Sequence, residues 1–158
     1  MMWYRVVTIN HTDFGTINGV WIAPDGNELL LLTHEQTLYW SVREGRALWS
    51  LSEKSGGDGI SPDGRLYRDL SSGLFYPLLG SHGGRQLHSH PTGGHLGFDE
   101  KGRRIVSDPA GVIHRLSDEG CFGDWQVASF CESGDHILIA SPRCLTVYVS
   151  PSAHSSTS

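Results

Sequence analysis

Four histidines, His82, His88, His90 and His95, fall within 14 residues and form the one local concentration of metal-capable side chains. His88 and His90 stand two apart in Arg85-Gln86-Leu87-His88-Ser89-His90, which reads as an outer strand. Side chains two apart on a strand share a face, as two ligands of one zinc or copper ion must. No carboxylate or thiol stands at ligand spacing beside them, so the stretch from Gly80 to Gly94 reads better as a polar, glycine-rich connection, and no metal or other cofactor is expected. Asp58 is the other residue of interest, because it holds a column occupied elsewhere by Val20, Leu96 and Ala128. A carboxylate there needs a partner or water. In a central channel it could serve as general base with His11 or His95, making the chain a hydrolase or lyase. In a loop, Gly57-Asp58-Gly59 simply leaves it hydrated. The chain has no Gly-x-Ser-x-Gly elbow, no phosphate-cradling glycine loop, no His-Glu-x-x-His and no Cys-x-x-Cys, so no catalytic residue is assigned.

What must position these residues is a pattern that returns four times: an apolar strand, a turn closing on glycine, a second strand, a polar turn and a third strand. The turn glycines are Gly26, Gly64, Gly102 and Gly134, spaced 38, 38 and 32 residues apart. Four residues before each stand Ile22, Ile60, Phe98 and Phe130, on the same strand face as the Val20 column. The residues between the two columns are Trp21, Gly59, Gly97 and Ser129, mostly small, as a crowded inner strand requires. Second strands follow at Leu29 to Leu32, Leu66-Tyr67, Arg104 to Val106 and His136 to Ala140. Repeats of this length, each a small antiparallel meander, predict blades of a propeller.

The order of strand, Pro-Asp-Gly turn, strand, polar turn and aromatic-rich strand resembles WD40-type β-propeller repeats from about Gly19 to Val149. Leu38-Tyr39-Trp40 stands where that family often carries leucine, tryptophan and aspartate, and Gly94-His95 matches its Gly-His pair. No Trp-Asp dipeptide occurs. The resemblance implies an all-β ring of about four antiparallel blades and transfers no activity, because propellers host many functions. The β-rich segment Trp3 to Ile9 belongs to no repeat and is expected to close the last blade by pairing with Leu145 to Val149. Outer strands are expected at Ala47 to Leu51, at Arg85 to His90 and around Phe122 to Trp125. A closed four-bladed ring, a distorted one, and a homodimer completing a larger ring all fit the repeat count.

Composition narrows the partners. Residues 1–150 read as a single propeller-like domain and residues 151–158 as a flexible tail. With 12 Lys and Arg against 17 Asp and Glu, the net charge is −5 and no basic stripe exists to repay counterion ordering, so nucleic acid is not expected. No apolar span suits a membrane helix. Three cysteines, Cys121, Cys131 and Cys144, read as reduced thiols of a cytoplasmic protein. The tryptophans, Trp3, Trp21, Trp40, Trp49 and Trp125, read as packing between blades rather than as a recognition patch. In blade geometry, the second hairpin turns and the connections between blades share one rim. That rim gathers His11, Asp13, His34, Glu35, Asp58, Asp108, Asp124 and Arg143, a mainly acidic surface suited to another protein. The expected function is a non-enzymatic protein-binding module, either an adaptor or an inhibitory partner of the immunity or antitoxin type.

Overall fold

The computed structural model describes residues 3–51, 61–63, 65–69, 73–81, 84–116 and 125–151. It is built from antiparallel sheets. The first repeat supplies β2 (Ile17–Ile22), β3 (Glu28–Thr33), β4 (Thr37–Ser41) and β5 (Arg46–Leu51), and the second supplies β6 (Leu66–Arg68) and β7 (Phe75–Pro77). The two-residue strands β8 (Leu79–Gly80) and β9 (Ser89–His90) follow, then β10 (Gly94–Phe98), β11 (Arg104–Ser107) and β12 (Ile113–Arg115) of the third repeat. The fourth contributes β13 (Val127–Phe130), β14 (His136–Ala140) and β15 (Cys144–Val149), and the N-terminal β1 (Tyr4–Asn10) completes its sheet in the order β1-β15-β14-β13. The expected closure is therefore found, with Ile9 opposite Leu145 and Thr8 opposite Thr146. A short helix, α1 (His11–Phe14), which the sequence reading did not anticipate, carries the chain from β1 to β2; the Asn10 side chain caps it by accepting from the Thr12 N–H at 3.1 Å.

Consecutive apolar residues in β3 and β14 are explained by burial on both faces. Leu29 and Leu31 pack with Val7, Ile9, Leu138, Leu145 and Val147 between the first and fourth sheets. Their neighbours Leu30 and Leu32 point the other way, into a cluster with Leu78, Trp21, Tyr39, Tyr67 and Tyr76 beneath the second sheet. In β14 the alternation repeats: Leu138 and Ala140 face the first sheet, while Ile137 and Ile139 join Trp3, Val106, Phe130 and Tyr148 against the third. By contrast β12 is half exposed, with Ile113 at 61% and Val112 beside it at 55%. The described sheets thus stack second, first, fourth, third.

Two expectations fail at the centre of this stack. Arg85 to His90 is not an outer strand of the second repeat: β9 pairs with the inner edge of β10, His90 opposite Gly94. Leu79–Gly80 and residues 87–90 lie along three inner edges in turn. Leu79 and Gly80 pair with Val20 and Gly19 of β2, the Phe130 N–H donates to the Leu87 carbonyl at 2.9 Å, and the Leu96 N–H donates to the His88 carbonyl at 2.7 Å. These bonds satisfy N–H and C=O groups that the short inner strands would otherwise leave unpaired. Gly97 is not crowded either; a side chain there would meet nothing within 4 Å. The expected inner strand at Gly57 to Ile60, and residues 122–124 of the expected third outer strand, lie outside the described residues. Trp125 packs on the core between the first and fourth sheets. Trp3, Trp21 and Trp40 also pack against core clusters, and Trp49, 39% exposed, stacks on Tyr39 at 5.5 Å.

Candidate functional site

The turns that follow the second strand of the first, third and fourth repeats are built by one local device. Thr33, Asp108 and Ser141 each open such a turn with a side-chain oxygen that accepts backbone N–H groups two to four residues on. Thr33 Oγ1 accepts from Gln36 N–H at 3.0 Å and Glu35 N–H at 3.2 Å, and donates to the Phe14 carbonyl at 2.8 Å. Ser141 Oγ accepts from Arg143 and Cys144 N–H at 3.2 and 3.3 Å. Asp108 Oδ1 accepts from Ala110 and Val112 N–H at 3.0 and 2.8 Å, while its Oδ2 lies 3.4 Å from His114 Nε2. These bonds, the Val112 amide first, hold the Asp108 carboxyl below the usual carboxylate range.

Two of these turns meet at α1. The His11 N–H and Nδ1 both reach the Arg143 carbonyl, at 2.8 and 2.9 Å, across 132 residues of chain. Ile17 N–H donates to the Pro142 carbonyl at 2.9 Å, His34 N–H donates to the Thr16 carbonyl at 3.0 Å, and the Gln36 side chain reaches the Phe14 carbonyl. His11, Asp13, His34, Glu35 and Arg143 are thereby assembled on one rim. Asp13, His34, Glu35 and Arg143 are exposed, while the backbone beneath them is tied to both sheets. Asp108 stands at the equivalent turn of the third sheet, with its carboxylate spent inside that turn. Asp58 and Asp124 lie outside the described residues. The sequence reading missed Thr33, Phe14, Gln36 and Ser141, which hold the rim; the Thr-x-x-Gln and Ser-x-x-Cys spacings of hydroxyl-opened turns were the available signal.

Of the histidine cluster, His90 is held in a structural role. His90 Nε2 lies 2.8 Å from the Glu132 carbonyl, while its Nδ1 accepts from the Thr92 N–H at 3.2 Å and lies 3.0 Å from the Thr92 hydroxyl. Both ring nitrogens are thus engaged, in the tautomer that carries its proton on Nε2. His88 Nε2 lies 3.2 Å from Gln86 Oε1, and His82 lies outside the described residues. Beside the central segment a cleft of about 280 Å³ opens between the first and fourth sheets, lined by Trp21, Pro24, Leu79, Arg85, Phe130 and Cys131 among others.

The cysteines differ from expectation. Cys131 is a free, buried thiol, but Cys144 is disulfide-bonded. The cytoplasmic expectation thereby loses its argument from reduced thiols, since disulfides persist in oxidising compartments. Thiol titration in denaturant should count more thiols after reduction than before; equal counts would show that the cross-link is absent.

No family model matches the chain, and no curated protein matches it. Among solved structures it is similar to the beta-propeller domain of Cps50 (Swd1) from Myceliophteria thermophila, at 15% identity, with a TM-score of 0.30 over 87% of this chain and 53% of that one. The chain spans about half the length of that structure. Among the described residues no helix is long and apolar enough to cross a membrane.

Proposed function

We propose that the chain is a propeller-like, non-enzymatic module that binds another protein through the rim of α1, the β3–β4 turn and the β14–β15 turn. The observation that carries this reading is the combination of a fixed backbone with free side chains. Hydrogen bonds from three separate parts of the chain lock the rim, so little ordering entropy is lost on binding, while Asp13, His34, Glu35 and Arg143 remain available to a partner. A rim of mixed charge, Asp13 and Glu35 beside Arg143, favours a partner of complementary charge pattern and sets its approach. The net charge of −5 disfavours nucleic acid. Whether the module serves as an adaptor or as an inhibitor of the immunity or antitoxin type depends on what the partner does. A second copy of the chain completing a larger ring is one form the partner can take.

The test compares proteins retained from a host extract by the wild type, by Asp13→Lys with Glu35→Lys, and by Glu100→Lys, an exposed change in the turn between β10 and β11. A partner kept by the wild type and Glu100→Lys but lost from the rim variant is the expected result. Equal retention by all three would refute the rim. Both variants should unfold like the wild type, because exposed turn substitutions rarely cost more than about 0.5 kcal/mol.

A further inference from the structure

The first and fourth repeats meet at their glycine turns, and a histidine stands in the joint. His136, at the start of β14, is 8% exposed and faces the first sheet, as do Leu138 and Ala140 after it. Its ring lies against Gly26: a Cβ on that glycine would fall 2.2 Å from His136 Nδ1. Nδ1 has no hydrogen-bond partner among the described residues. Just beyond the ring, the Ser133 N–H donates to the Pro24 carbonyl at 3.0 Å and joins the two turns directly. Pro24 on one turn and Cys131 and Glu132 on the other form one wall of the central cleft.

We propose that His136 latches the first glycine turn to the fourth only while its imidazole is neutral, so that acidification unhooks Pro24 to Gly26 from Ser133 and widens the cleft beside them. A buried neutral ring can leave one nitrogen unpaired at modest cost, but an imidazolium carries two N–H donors and a charge that must be solvated. The groups acting on the ring are Asp135, the turn residue just before it, and Asp25 on the facing turn, and its cross-strand partner on β15 is the uncharged Val149. Both carboxylates favour the charged ring, yet burial outweighs them and holds its pKa below the ordinary 6.5. Asp25 is exposed at the mouth of the joint and gives the protonated ring somewhere to turn.

The direction with pH follows from linkage. A histidine whose folded pKa is depressed binds its proton more readily once released, so the closed joint is fully favoured above about pH 6.5 and loses ground as pH falls toward the folded value. Asp63, Asp99 and Asp108 are held below their ordinary 3.8, so what they contribute is lost only at still lower pH, outside this window.

Amide exchange by NMR between about pH 7.5 and about pH 5, corrected for intrinsic rates, tests the proposal on the unmodified chain. Protection at Ser133 should fall several-fold along the titration of the His136 ring, while Leu138 in the middle of β14 keeps its protection. The ring signal of His90, which packs against Gly134 on the same turn, is assigned separately from that of His136. His136→Phe, neutral at every pH, should remove the acid response. Constant protection at Ser133, equal loss at Ser133 and Leu138, or an acid loss that persists in His136→Phe would each overturn the latch.

Discussion

Deleting residues 1–10 should abolish folding or lower stability by more than about 4 kcal/mol in urea denaturation. The segment carries Trp3, Val7 and Ile9, 7%, 5% and 1% exposed, and burial of each such side chain contributes about 1.5–3 kcal/mol. Val7 and Ile9 fill the space between the first and fourth sheets, while Trp3 lies against Phe130 on the far side of the fourth, so one strand supports two cores. Its loss also bares the edge of β15, whose backbone then templates pairing with other chains. Aggregation should therefore accompany the loss of stability. A truncated chain that melts within about a degree or two of the intact one would show that β1 does not close the sheet.

The second large effect is expected at Gly80. A Cβ there would lie 2.3 Å from the Asn18 carbonyl oxygen and 2.9 Å from the Gly19 Cα, both backbone atoms that no rotamer change can move aside. Gly80→Ala must push β8 off β2 and should cost about 2–3 kcal/mol. Gly97→Ala is the matched control. It sits in β10 with open space around it and should be neutral or slightly stabilising, by up to about 1 kcal/mol, because alanine narrows the unfolded ensemble. Equal cost at the two positions, read from chemical denaturation, would mean that β8 is not packed against the edge of β2.

The contrast between these glycines marks where sequence reasoning stops. Period-two patterning and turn chemistry are local, so the hairpins of the first, third and fourth repeats and the closing strand at Trp3 to Ile9 were legible. The run Leu29 to Leu32 was legible as a strand, while its burial on both faces emerged only from the packing of the sheets. The path of Leu79 to His90 was not legible, because two-residue strands carry too few side chains for any periodicity and their pairing is decided by backbone groups left over elsewhere. The same limit applies to His90, whose type suggested a metal ligand and whose ring packs against the Gly134 turn. On the rim, the exposed residues could be named from turn order alone. The residues that fix them, Thr33 and Ser141, are buried hydroxyls whose role appears only when their acceptors and donors are placed.

The measurement that bears most directly on the rim is the Kd of the purified chain for the protein it retains, determined for the wild type, for Asp13→Lys with Glu35→Lys, for Glu100→Lys and for Asp58→Asn, alongside the biological activity of each. Reversing two charges on a preorganised surface should weaken the complex at least about tenfold, equivalent to about 1.4 kcal/mol, mostly through faster dissociation, with Glu100→Lys and Asp58→Asn close to wild type. Unchanged affinity in all three variants, with activity lost in Asp58→Asn alone, would contradict a binding rim and assign the function to catalysis at Asp58.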